Sequence, residues 1–232
     1  MPKAPTNSPR RGKRSALLSA AEIADFFQIL STHIVPKGEL HYTTPLDLLI
    51  AVVLSAQSTD KAVNRVTAEL WQYCRNAEDY LDWGQERLED SLRSIGLFRA
   101  KAKAIIGICR LLLERHGGEV PRTREELMAL PGVGRKTANV VLNVAFGEPV
   151  LAVDTHIFRV ANRCGLVKAA TPEATELALL PRIPPEHLKN AHHYLLLHGR
   201  YTCKARKPEC DNCPVATLCR SRATDSAKQP HS

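Results

Sequence analysis

The sequence predicts an all-α protein, on three observations. Ala, Leu and Val dominate a composition that is 44% hydrophobic but only 5% aromatic, which suits helices better than sheets of β-branched and aromatic strands. Apolar residues recur at helical spacing along most of the chain, and Ser, Thr or Asp stands at the start of many of these runs. The one β-like run, Val150 to Val153, is flanked by helical sequence and has no visible partner strand, so an extended crossing is expected there.

The 232 residues fit one large domain or two modest ones and suffice to bury a real core. Residues 1–14, rich in Pro, Lys and Arg and without an acidic residue, read as a disordered basic arm. An amphipathic helix follows from Ser19 to about Leu30. Thr44 caps "PLDLLIAVVLSA" with Pro45 at the first helical position, where its missing N–H costs nothing. That helix is apolar nearly all round and belongs at the centre of a domain. "STDKAVNRVTAELW" starts the next, with Ser58 or Thr59 as cap, and helices are expected at 77–82, 85–94, 98–116, 124–130, 155–163, 172–180 and 185–198. The cysteine-punctuated stretch after residue 199 reads as loop, and 221–232 as a disordered tail.

A formal charge of +8 and a pI near 9.2 point to a polyanionic partner, nucleic acid first and an anionic membrane surface second. No apolar stretch approaches the roughly 20 residues that span a bilayer, and the basic start has no apolar core of a secretory signal. A cytoplasmic protein without membrane attachment is expected. In that compartment structural disulfides are rare, so the seven cysteines are read for metal or reactivity.

In "LPGVGRKTANVVLNVAF", residues 130–146, Pro131 ends one short helix and a second begins after Gly134. Thr123 and Glu126 form a capping-box pattern for the first. Gly132 and Gly134 permit positive φ and close approach to the main chain, and Val133 tucks back between the helices. In the second helix Ala138, Val141, Leu142 and Ala145 share the apolar face, with Lys136, Asn139 and Asn143 on the opposite, polar one. Lys136 therefore points outward beside N–H groups that favour a phosphate. Position alone allows it to be a solvated lysine, a phosphate contact or a catalytic amine.

Cys203, Cys210, Cys213 and Cys219 make C-x6-C-x2-C-x5-C, four local thiolates suited to tetrahedral zinc or an iron–sulfur cluster. Cys74, Cys109 and Cys164 read as small core residues. Lys204, Arg206 and Lys207 share the first cysteine loop and can reach a phosphodiester. Asp154 precedes a helix as a good N-cap; the same fixed anion can stabilise a cationic transition state.

Together, "LPGVGRKTANVVLNVAFGEPVLAVDTHIFRV", "LHGRYTC" and the cysteine pattern resemble the endonuclease III family, bifunctional DNA glycosylases and apurinic/apyrimidinic lyases of the helix-hairpin-helix superfamily. The resemblance runs from about residue 18 to 220. It implies two helical domains flanking a DNA cleft: a six-helix domain at 38–148 containing the helix-hairpin-helix (123–146), and a cluster domain built from 15–37 and 149–220. It implies that Lys136 is the nucleophile, Asp154 the essential aspartate, and Cys203, Cys210, Cys213 and Cys219 the ligands of a [4Fe-4S] cluster. DNA contacts fall to Gly132, Val133, Gly134 and Arg135 in the hairpin, to Lys204, Arg206 and Lys207, and to Gln57 and Leu97 as wedges around the everted nucleotide. Double-stranded DNA with damaged bases or abasic sites is the implied partner of a monomeric enzyme, placed with the nucleoid if the source is bacterial. Excision of oxidised or saturated pyrimidines is the implied reaction; pyrimidine-dimer cleavage and non-catalytic DNA binding are the alternatives. Lys136 argues against the adenine-mismatch branch, which lacks a lysine there. Arg99 departs from the pattern by adding charge to the Leu97 loop, where it bears on lesion or opposite-base preference.

Overall fold

The structure is a computed structural model that describes residues 16–225, so the basic arm at 1–14 lies outside the described residues. Among the described residues there is no strand, and the all-α expectation holds. The helices are α1 (Ala20–His33), α2 (Pro45–Leu54), α3 (Asp60–Leu70), α4 (Ala77–Trp83), α5 (Gln85–Leu92), α6 (Phe98–His116), α7 (Arg124–Met128), α8 (Arg135–Phe146), α9 (Thr155–Cys164), α10 (Pro172–Leu179), α11 (Pro185–Leu197) and α12 (Arg220–Asp225).

Capping residues set most of the starts. Ser19 and Thr44 form reciprocal boxes with Glu22 and Asp47, and Thr59, not Ser58, caps α3. At α7 the box is incomplete. Glu126 N–H donates to the Thr123 hydroxyl, but the Glu126 carboxylate accepts from that hydroxyl rather than from the cap's backbone N–H. α12 runs into the segment expected to be tail, where the Arg222 guanidinium donates to the Cys210 carbonyl and to Asp211 at 3.1 Å.

Two hydrophobic cores organise the chain. The first draws on residues 46–142, with α2 buried along nearly its whole length. The second draws on 18–30 and 151–215, so the chain leaves it after α1, builds the first core, and returns. The return passes through Val150–Val153, which is neither helix nor strand and has no strand partner, with Leu151, Ala152 and Val153 buried.

The polar face assigned to α8 is corrected here. Asn139 and Asn143 are buried, not solvated. Asn139 donates to the Leu151 carbonyl at 3.0 Å and Asn143 to the Glu148 carbonyl at 2.9 Å. The crossing has no neighbouring strand to satisfy its carbonyls; Asn139 satisfies that of Leu151, and Asn143 that of Glu148 just before it.

Candidate active site and cluster pocket

The hairpin between α7 and α8 divides its glycines by task. Gly132 has φ +74°, and a Cβ there would lie 3.2 Å from Ala104 Cβ, so both backbone and packing favour glycine. Gly134, at φ −93° and ψ 177°, is extended backbone that any residue adopts, and an added Cβ would meet nothing within 4 Å. The expectation of positive φ therefore holds for one glycine of the two. Val133 is buried, as expected. Gly134 caps α8 without a side-chain acceptor, leaving the first-turn N–H groups available to an anion.

Lys136 stands in that first turn, exposed, and its amine has no partner among the described residues. Asp154 caps α9 across the crossing from α8. Its Oδ1 accepts from the Ile157 N–H at 2.8 Å, which leaves Oδ2 without a protein partner. Lys136 and Asp154 line one cleft of about 310 Å³ together with Gln57, His192, His193 and Arg200. Both also line an adjoining recess of about 740 Å³ that extends past Arg135 to Glu176. Sequence positions 57, 136 and 154 thus meet around one space.

Three non-glycine residues among those described have positive φ: Gln57 at 54°, Leu97 at 60° and Lys207 at 51°. All three were singled out in the sequence as DNA contacts. Left-handed backbone costs an L-residue roughly 1–2 kcal/mol, so it marks places where display outranks comfort. Leu97 is not a core leucine: 55% of it is exposed at the start of α6. Gln57 is exposed on the neighbouring loop, and a Cβ on Gly96 would lie 3.6 Å from the Gln57 carbonyl oxygen.

The remaining candidates sit differently. The Arg135 guanidinium is engaged by Glu176 at 2.9 Å and Glu173 at 3.4 Å, leaving its backbone N–H, not its charge, for a ligand. Lys204, Arg206 and Lys207 are exposed on the cysteine loop and line neither cavity that contains Lys136; Lys204 pairs with Glu209. Arg99 is exposed, 3.9 Å from Glu89.

The four patterned cysteines line a separate cavity of about 310 Å³. No three of their sulfurs lie within 4.8 Å of one another. A single tetrahedral zinc, with Zn–S bonds of about 2.3 Å, needs its thiolates about 3.8 Å apart, whereas a cubane places each thiolate on its own iron and spreads them around a larger body. The donor set fits the cluster. Cys164, read from sequence as core, is buried but also lines this cavity. The Arg163 guanidinium donates to Cys203 Sγ at 3.6 Å. Cys74 and Cys109 are buried in the first core, as expected.

Comparison with known proteins decides the family. The model of HhH-GPD superfamily base excision DNA repair proteins matches residues 50–185, and that of the iron-sulfur binding domain of endonuclease III matches 203–219, the span from the first patterned cysteine to the last. Endonuclease III of Rickettsia conorii is 53% identical over 184 residues, 79% of this chain and 88% of the relative. The chain belongs to the endonuclease III family. Endonuclease III of Escherichia coli K12 is 52% identical over the same share of this chain and 87% of its own. Two solved structures share the fold at 44% identity: a trapped endonuclease III–DNA covalent intermediate (TM-score 0.83, 90% of this chain and 100% of that one) and a non-covalent endonuclease III–DNA complex (TM-score 0.84, 91% and 100%). A thermostable thymine-DNA glycosylase, 24% identical with a TM-score of 0.75, shares the fold. As a member of the endonuclease III family the chain is a bifunctional DNA N-glycosylase and lyase that carries a [4Fe-4S] cluster and binds DNA.

Several residues that organise this endonuclease III site carried no sequence signal. α9 joins its two chemical ends: Asp154 caps it, while Arg159 donates to the Cys203 and Gly199 carbonyls at 3.0 and 2.7 Å, and Arg163 to the Lys204 carbonyl at 2.7 Å. Glu176 joins the two cores, its carboxylate accepting from Arg124 at 3.2 Å and Arg135 at 2.9 Å. Arg200 bridges Glu39 at 2.5 Å and Asp60 at 3.1 Å. Each is an ordinary charged residue in sequence, and only the fold brings its partner near.

Proposed function

We propose that Lys136 is the nucleophile and Asp154 its acidic partner in removing oxidised or saturated pyrimidines from duplex DNA, followed by strand cleavage. One observation carries the reading: an unpartnered amine and a half-bonded carboxylate share a cleft with Gln57, beside a helix N-terminus that lacks a side-chain cap.

A base inside the duplex is out of reach, so the nucleotide is everted, and lost stacking is offset by wedge and phosphate contacts. Gln57 fills the vacated space and Leu97 wedges beside it. The main chain of Gly132 to Arg135 grips a backbone phosphate, Gly134 giving the closest approach. Lys204, Arg206 and Lys207 supply a second phosphate contact farther along the duplex.

The Lys136 Nζ lone pair attacks the sugar C1′, and the C1′–N bond breaks with its electrons leaving on the base. Asp154, fixed by the Ile157 N–H, opposes the positive charge developing at C1′. The bonded nitrogen gives up one proton, the C1′–O4′ bond breaks as O4′ takes one up, and the resulting protonated C1′=N Schiff base acidifies C2′. Loss of that proton and departure of the 3′ phosphate by β-elimination complete the cut. One lysine serves both steps. The [4Fe-4S] cluster on Cys203, Cys210, Cys213 and Cys219 supplies a structural crosslink that shapes the basic loop, and α9 ties that loop to Asp154.

The two cores form the domains at 38–148 and at 15–37 with 149–220, the walls of the DNA cleft. The enzyme acts as a monomer on cellular DNA in the cytoplasm; no helix among the described residues is long and apolar enough to cross a membrane. Duplexes carrying one oxidised pyrimidine, one saturated pyrimidine, one pyrimidine dimer or no lesion test the reading. Base release and nicking are expected on the first two; release confined to the dimer would transfer the activity to the alternative substrate.

A further inference from the structure

Lys101 is a buried cation that the chemistry above does not use. It lies one turn into α6 with 4% of its surface exposed, and burial lowers its pKa. Its Nζ has a single partner among the described residues, the Ser58 hydroxyl at 2.9 Å. An ammonium held by one neutral hydroxyl is costly, and an apolar side chain of similar length would be cheaper in that place. What it contributes is therefore position.

Its bonds define that position. Ser58 directly follows Gln57, in a turn closed by the Ser58 N–H donating to the Ser55 carbonyl at 3.1 Å. The Lys101 N–H donates to the Leu97 carbonyl at 3.0 Å, the first backbone bond of α6. One residue thus reaches two of the three loops that display left-handed residues toward solvent, Gln57 through its neighbour's hydroxyl and Leu97 through the backbone. The loops pack against each other at Gly96, where a Cβ would sit in ordinary contact, 3.6 Å from the Gln57 carbonyl oxygen.

We propose that Lys101 is a positioning residue for nucleotide eversion, its bond to Ser58 fixing the spacing between the Gln57 and Leu97 loops so that both wedges enter the duplex together. The inference rests on the wedge reading of those two residues. The tie acts before the chemistry and touches no reacting atom.

The test uses the cluster-loaded enzyme with Lys101→Met, which keeps the apolar stem, Ser58→Ala, which removes the tie from the less buried side, and Ser58→Thr, which restores a hydroxyl. Two readouts are compared: single-turnover base release from a lesion duplex, which requires eversion, and borohydride trapping on an abasic site in single-stranded DNA, which does not. Lys101→Met and Ser58→Ala are expected to slow base release at least tenfold with trapping within twofold of the parent, Ser58→Thr to recover most of the rate, and Gln57→Ala to add little on top of Ser58→Ala. Equal loss in both readouts, full base release by Ser58→Ala, or multiplicative losses in the double variant would overturn the tie. If Gln57→Ala and Leu97→Ala each keep full base release, the wedge reading itself fails, a result separable from failure of the tie.

Discussion

Arg135 Nε donates to Glu176 Oε2 at 2.9 Å, and Glu176 is 3% exposed. The bond joins the helix that carries Lys136 to α10 of the other core. Arg124 shares the same carboxylate and also donates to Asn139 at 2.9 Å, so one buried acid organises two arginines and an amide behind Lys136.

Glu176→Gln removes the charge, leaving Arg124 in a partly buried site without a carboxylate and Arg135 with only Glu173 at 3.4 Å. Breaking one partner of such a buried pair costs about 3 kcal/mol, to be read from denaturant unfolding. Because α8 carries both Lys136 and the hairpin, DNA affinity is expected to fall with it.

Gly134→Ala separates binding from folding. The φ suits alanine and the Cβ enters open space, so thermal stability stays within about 0.5 kcal/mol of the parent. A methyl group at the phosphate approach is expected to weaken duplex binding at least tenfold in a fluorescence-anisotropy titration. Unchanged affinity would remove this residue from the DNA grip.

The separation of these two effects shows what could be read in advance. The meeting of Lys136 with Asp154 was implied only by the family resemblance, whereas the hairpin and the Thr44 cap follow from local pattern, because glycine, proline and capping residues act on their own neighbours. Asn139 and Asn143 did not, since helical periodicity sorts polar from apolar but not buried-and-bonded from solvated. Lys101, Cys164 and Glu176 were illegible for the same reason: each owes its role to a partner far away in sequence. Leu97 became clear only with its backbone, since the composition of a loop does not report φ.

His192 sets an acid limit on the fold. Burial, with smaller contributions from neighbouring His193 and Lys136, pushes its pKa down to about 3. The unfolded chain takes up this proton near the ordinary 6.5 while the folded one does not. Stability is therefore full above pH 6.5 and falls as pH drops toward 3, with a slope approaching about 1.4 kcal/mol per pH unit for this one proton. His192→Asn is expected to flatten that slope in unfolding curves taken at stepped pH.

Removal of the cluster is expected to loosen the loop at 203–219 before it affects the first core, whose residues lie within 46–142. Proteolysis of chelated, iron-depleted protein should cut first within that loop, with duplex affinity reduced and the Lys136 amine still trappable on abasic DNA. Loss of trapping in parallel with iron would make the cluster part of the catalytic geometry rather than of the DNA grip.

The account centres on one amine. Borohydride reduction of the enzyme on an abasic duplex captures a Schiff base as a covalent adduct, and peptide mapping identifies the linked residue. The prediction is a stoichiometric adduct on Lys136, absent in Lys136→Gln, which still binds the duplex. An adduct on another amine, or one that persists in Lys136→Gln at the parent's rate, would contradict it.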